Sequence, residues 1–213
     1  MGLKKNSMEM EVVKPFGPSI AKVKIPEEII KEMNLFVDKT IEDKEKLKKL
    51  NEGPNLAGNV FQEFIMDEDF MRKIKWGEFL GSVCNDWVWK EKYVSLKKFN
   101  IIKSWIVRQF KNDYNPIHHH TGHISGVGYL KVPTSMGETS QKDKKVNYNG
   151  RLVLIDGSNK LFSSPTYTIT PKVGDFYLFP SYLMHTVYPF SNTDEERRSV
   201  SFNAQIDEKA STF

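Results

Sequence analysis

Up to about residue 97 the apolar positions recur three and four apart, and from about Lys98 they recur every second residue. The first spacing follows one face of a helix and the second one face of a strand. Before the helical part, residues 19–25 alternate Ile20, Lys22, Lys24 with Ala21, Val23, Ile25 and stop at Pro26, which predicts a short strand. Pro26 then opens a helix, with Glu27 and Glu28 at its positive end. Ile29, Ile30, Met33, Phe36, Val37 and Ile41 form its apolar face, and the charged run to Leu50 continues it or frays. Residues 51–59, with Gly53, Pro54 and Gly58, form a loop. A second helix is predicted over about 67–92, with Phe70, Ile74, Phe79, Val83, Trp87 and Val88 inward. Strands are predicted at 99–110, 125–132, 151–156, 166–169, 175–179, 185–188 and 198–205. Turn-like stretches at 112–116, 136–137, 149–150, 171–174 and 191–194 separate them. Short strands with no helices between them argue for a sandwich or jelly roll, so the expectation is two helices packed on an antiparallel β-barrel.

Composition narrows this picture. A chain of 213 residues suits one domain with a sizeable core, or a core at 98–213 carrying an N-terminal elaboration at 1–97. With 14 Phe, 8 Tyr and 4 Trp, disorder is expected only at the ends. The net charge of +4 is mild and its lysines are dispersed. Lys44 to Lys49 reads as the solvated face of a helix, so no nucleic-acid partner is expected. The single Cys84 excludes an intrachain disulfide and suits a reducing, cytoplasmic setting. No apolar run reaches 18 residues, so no membrane span is expected. The start lacks the apolar core of a signal peptide, and Asn6 stands where a myristoylation signal needs Ser or Thr.

The candidate chemistry lies in the histidines. Four of the five fall within His118–His123, and the fifth, His185, lies about 65 residues beyond His120 in another predicted strand. Histidine is the commonest metal-ligating side chain. On an extended chain His118 and His120 share a face and His119 points away. With His185 from a neighbouring strand they can occupy three adjacent positions around a metal, leaving others open, as in facial-triad iron oxygenases. No acid stands two residues after any histidine of the cluster, although the usual triad contains one. His119 and His123 read as bystanders.

Twelve residues after His185 comes Arg197, with Ser199 two further on. Alternation puts Arg197, Ser199, Ser201 and Asn203 on one face, and Arg198, Val200 and Phe202 on the other. A guanidinium fork with a nearby hydroxyl makes a carboxylate clamp. The competing reading is a surface arginine paired with Glu195 or Glu196.

Four segments, NPIHHHTGHISGVGYLKVP (115–133), GRLVLIDG (150–157), PKVGDFYLFPSYLMHTVYPF (171–190) and ERRSVSFNAQ (196–205), together resemble the 2-oxoglutarate/Fe(II)-dependent oxygenase superfamily. The likeness is greatest to the 2OG-Fe(II) oxygenases of marine bacteria and their phages, which implies a cytoplasmic protein, in the host cytoplasm if it is phage-encoded. The resemblance implies a mainly β fold with flanking helices: a double-stranded β-helix, a cupin-like jelly roll, with N-terminal helices. It implies Fe(II) on His118, His120 and His185, with His120 where most relatives have Asp or Glu. It also implies 2-oxoglutarate as cosubstrate, its distal carboxylate on Arg197 and Ser199, and a Tyr129 hydroxyl reaching it. O2 would then be consumed to hydroxylate a small molecule or peptide side chain, releasing succinate and CO2. Another registration makes His120 the first ligand and Gly122 the missing acid, as in the iron halogenases. Asp113 or Asp156 could also supply a carboxylate. Trp105 and Tyr182 read as core or pocket wall.

Two other readings compete. A cupin-type three-histidine dioxygenase needs no acid but leaves Arg197 and Ser199 unused. A non-catalytic jelly-roll binding or virion protein would have purely structural histidines.

Overall fold

The computed structural model describes residues 9–13, 17–157, 159 and 161–207. The N-terminal stretch weighed above as a lipidation signal lies outside them. Among the described residues the order is β1 (Glu11–Val13), β2 (Ile20–Lys24), α1 (Glu27–Glu42), α2 (Lys44–Leu50), β3 (Gln62–Ile65), α3 (Glu68–Lys73), α4 (Trp76–Lys92), β4 (Phe99–Gln109), β5 (Asn115–His118), β6 (Ile124–Lys131), β7 (Leu152–Ile155), β8 (Thr166–Ile169), β9 (Asp175–Pro180), β10 (Met184–Val187) and β11 (Arg197–Ile206). None of the helices is long and apolar enough to cross a membrane.

All the strand pairs are antiparallel. They form a seven-stranded sheet, ordered β1-β2-β9-β6-β11-β4-β3, and a four-stranded sheet, ordered β5-β10-β7-β8. From β5 onward the chain passes back and forth between the two sheets, which is the jelly roll expected from the period-two pattern. One face of the large sheet is covered by helices: Phe176, Leu178, Val200 and Phe202 pack there with Met33, Phe36, Trp76, Phe79 and Leu80. The other face meets the small sheet, where Tyr129, Tyr177 and Phe179 pack with Leu152, Leu154 and Ile169. The alternation read from β11 holds, since Arg197, Ser199 and Ser201 line the space between the sheets. Val200, Phe202 and Ala204 enter the helical core.

The elements depart from the sequence expectation in three ways. The helix expected to run to Leu50 ends at Glu42, because the Asp43 side chain accepts from Lys46 N at 2.9 Å and caps a new helix. The second helix also divides, at Lys75, whose φ of 56° leaves the helical region. Strands β1, β3 and β5 were not anticipated. They are three or four residues long, and each sits at the edge of its sheet. Too short to show a period, they are set by pairing with distant chain, and Pro116 is tolerated because β5 is an edge.

Candidate metal centre

Strand pairing sets His118 opposite His185 across β5 and β10. His120 lies just past β5, held by its backbone N–H donating to Ser181 O at 2.9 Å. Ser181 in turn belongs to a buried hydroxyl–amide set: the Ser125 hydroxyl lies 2.9 Å from that of Ser181 and 2.7 Å from Asn203 Oδ1. Ring centroids stand 4.3 Å apart for His118 and His185, 5.0 Å for His118 and His120, and 4.9 Å for His120 and His185. One ligand nitrogen from each lies within 4.8 Å of the others, and the His120 and His185 Nε2 atoms are 3.2 Å apart. Two imidazole nitrogens about 2.1 Å from a divalent metal, at right angles, stand about 3 Å apart. The spacing fits one ion.

The tautomers fit as well. His118 Nδ1 lies 2.7 Å from Pro116 O, and His185 Nδ1 lies 2.9 Å from Leu183 O. A carbonyl can only accept, so each Nδ1 carries the proton and each Nε2 turns a lone pair to the centre. Burial drives the His120 pKa down to about 3, with His185, His118 and His119 adding to it. Burial likewise takes His185 down to about 4, with His118 adding and the Leu183 carbonyl opposing. His118 is lowered by burial too. All three are neutral near pH 7, the form that ligates a metal.

Among the described residues no carboxylate joins this group. Asp113 Oδ2 accepts from Phe61 N at 2.8 Å and Phe110 N at 2.9 Å, tying a turn. Neither Asp113 nor Asp156 is among the converging residues. Gly122 does not offer the seat of a missing acid: its φ is +98°, and a Cβ there would lie 2.8 Å from Ala204 O of β11. His119 is exposed at the cavity rim, and His123 Nδ1 lies 3.1 Å from the backbone of Ile206.

The cluster opens on a cavity of about 210 Å3 between the sheets, lined also by Trp105, Tyr129, Arg197, Ser199 and Ser201. Arg197 is buried, donates from Nη1 to Gly150 O at 2.6 Å and from Nη2 to Gln109 Oε1, and its Nε has no hydrogen-bond partner among the described residues. Among the described residues no carboxylate pairs with it. Glu196 is taken by Arg108 and Arg198, and Glu195 by Thr134. Burial lowers the Arg197 pKa to about 10, against the pull of Tyr129 and Asp113. A buried cation with a spare N–H beside a cavity has the chemistry to seat an anion. Ser199 pairs in register with Tyr129, whose hydroxyl burial raises to about 12.

Trp105 is a cavity wall, its ring 5.6 Å from that of His120. Tyr182 is not core: it is 60% exposed and lines a separate hollow beside Trp87 and His123. Gln109, Asn115 and Glu63 are among the lining residues that sequence reasoning missed. Gln109 pairs in register with Arg197 and shares a face with Trp105 and Val107, so the alternation of β4 carried a signal for it. Asn115, which accepts from Gln109 Nε2 at 3.0 Å, and Glu63 lie on strands too short to show one.

Fold and centre define a class, a jelly roll with three histidines converging in a cavity between its sheets. The model of a family described as "Putative 2OG-Fe(II) oxygenase" matches residues 103–203. Solved structures of similar fold include a Pseudomonas putida prolyl-4-hydroxylase, at 14% identity over 94% of this chain and 92% of that one, TM-score 0.51. A viral collagen prolyl hydroxylase from Paramecium bursaria Chlorella virus-1, in complex with 2OG, is 17% identical over 87% and 94%, TM-score 0.52. The non-haem α-ketoglutarate-dependent epimerase SnoN of nogalamycin biosynthesis is 13% identical over 87% and 76%, TM-score 0.58. No curated protein matches the sequence.

Proposed function

We propose that the protein is a non-haem Fe(II)- and 2-oxoglutarate-dependent dioxygenase that hydroxylates a small molecule or a peptide side chain. The observation that carries this is one cavity holding both three convergent neutral imidazoles and a buried arginine without a carboxylate partner. His118, His120 and His185 would hold Fe(II) through Nε2, and Arg197, Ser199 and Tyr129 the distal carboxylate of 2-oxoglutarate. When bound, iron and cosubstrate supply oxidative decarboxylation to succinate and CO2, with oxygen transfer from O2 to the substrate. The residues' own part is to fix geometry and exclude water. Pro116 and Leu183 carbonyls hold two rings in the ligating tautomer, and Gln109 with Gly150 holds the guanidinium fork. Trp105, Leu152 and Phe179 supply apolar wall. A cytoplasmic setting, from the single buried cysteine, belongs with this proposal.

Anaerobic titration with Fe(II) and 2-oxoglutarate tests it. Wild type should give a charge-transfer band at roughly 500 nm, tuned by the ligand set. His185→Ala should abolish the band, and Arg197→Ala should raise the 2-oxoglutarate needed by about tenfold or more. With O2 admitted, 2-oxoglutarate should be converted to succinate. Absence of the band in wild type overturns the proposal. Normal 2-oxoglutarate affinity in Arg197→Ala removes the clamp from it.

A further inference from the structure

We propose that Glu63 is a substrate-recognition residue of this cavity, and that the substrate carries a cationic nitrogen, an ammonium or guanidinium group, which the Glu63 carboxylate receives. The inference deepens the oxygenase reading and rests on it for the word substrate. Its structural basis is independent of iron and 2-oxoglutarate.

Glu63 lies on edge strand β3 in a single cross-strand row. It pairs with Val107, Val107 with Ser199, and Ser199 with Tyr129. Partners in register project on the same face, and adjacent strands lie about 4.8 Å apart, so Glu63 stands about 10 Å from Ser199. It therefore lines the same cavity as the histidines and Arg197, but two strands away from the Arg197 and Ser199 anion seat. Gly58 closes over it, since a Cβ there would lie 2.9 Å from Glu63 Oε1. Leu56 and Ala57 add apolar wall beside it.

Glu63 is only 2% exposed, and its Oε2 has no hydrogen-bond partner among the described residues. Lys103 of β4 is committed elsewhere, because it pairs with Glu52. Glu63 is also outside the converging metal-ligand group. Burial, with Glu52 adding, raises its pKa to about 7. A buried carboxylate with an orphaned oxygen is destabilising unless a partner arrives. A cation offsets the charge of the Glu63 carboxylate itself as well as satisfying its oxygen. A neutral donor would satisfy the orphan oxygen and leave that charge in place. The cavity's size, about 210 Å3, admits a side chain or small molecule with an aliphatic stem against Val107 and Trp105.

The test compares matched probes by anaerobic calorimetry on the full chain loaded with Fe(II) and 2-oxoglutarate: L-lysine against L-norleucine, and L-arginine against L-citrulline. At least one cationic probe should bind about tenfold or more tighter than its neutral counterpart, as a charge-assisted hydrogen bond confers. Glu63→Gln should erase that preference while retaining the charge-transfer band and melting no lower than wild type. Equal binding within both pairs, no binding in either, or a preference that survives in Glu63→Gln overturns the assignment. A missing band with the preference intact sustains the Glu63 assignment and overturns the oxygenase reading, so the two failures are distinguishable.

Discussion

Arg197 and Glu63 are both buried charged residues of one cavity, and only the first was legible in the sequence. Arg197 sits in a ten-residue strand whose alternation assigns its face, twelve residues after a histidine. Glu63 sits in a four-residue strand whose position depends on β4, distant in sequence. Gln109 Oε1 accepts from Arg197 Nη2 while its Nε2 donates to Asn115 Oδ1 at 3.0 Å, so it fixes the fork of the proposed clamp. Gln109→Leu should raise the KM for 2-oxoglutarate about tenfold, the range for a lost hydrogen bond to a charged group, with kcat at saturation nearly unchanged. A fall in kcat at unchanged KM would place Gln109 elsewhere in the reaction. Glu63 carries a stability signature of its own. Its folded pKa of about 7 lies above the ordinary 4.5, so the folded state binds the proton more tightly. Stability must therefore fall as pH rises from about 4.5 to about 7, by up to about 3 kcal/mol, through this residue alone. Glu63→Gln lacks that slope, and denaturant midpoints of the two proteins across this range should diverge as pH rises. Parallel curves would mean that Glu63 is solvated or paired.

At the scale of elements, β6 shows how sheet and helices approach. Ile124, Gly126, Gly128 and Leu130 alternate on its helical face, and the two glycines leave room for Phe202 and Phe176. A Cβ at Gly126 would lie 2.4 Å from Phe202 Cε1 and 2.9 Å from Tyr177 O, and backbone cannot yield as a side chain can. Gly126→Ala should cost about 1–3 kcal/mol, as overpacking does, measured by chemical denaturation. A neutral result would show that Phe202 swings aside freely. On the opposite face the same strand presents Ser125, Val127 and Tyr129, so the displacement should also weaken 2-oxoglutarate binding near Tyr129. This face assignment was readable from the period of two. The helix breaks at Asp43 and Lys75 were not, because the apolar spacing continues through them and the interruption is made by a local cap and a single left-handed residue.

For the whole molecule, the question is what ties the helical layer to the sheet that carries the site. Adjacent arginines divide the work: Arg197 faces the cavity, and Arg198 faces the helices. Arg198 donates to Glu196 Oε1 at 3.0 Å and Oε2 at 2.9 Å, and to Asn34 Oδ1 at 3.0 Å and Asp38 Oδ1 at 2.8 Å on α1. Arg108 of β4 donates to Glu196 Oε1 at 2.6 Å and to Gln62 Oε1 on β3 at 2.7 Å. One buried carboxylate thus joins β3, β4, β11 and α1. Burial alone would raise the Glu196 pKa, but hydrogen bonds from Arg198 and Arg108 outweigh it and hold the group below its ordinary 4.5. Its contribution is then fully present above about 4.5 and is lost as pH falls through the lower folded value. Glu196→Gln takes the carboxylate from buried Arg108 and leaves Arg198 with Asp38, and should destabilise the protein by roughly 3 kcal/mol at pH 7. The deficit relative to wild type should shrink as the solution is acidified below about 4.5, where wild type loses the charge too. Because the substitution lies on the helical side of β11, the folded fraction should keep its Fe(II) and 2-oxoglutarate affinities. A variant with a wild-type melting temperature would show that apolar packing alone docks the helices. A variant that folds normally but binds 2-oxoglutarate poorly would show that the charge on one face of β11 sets the position of Arg197 on the other.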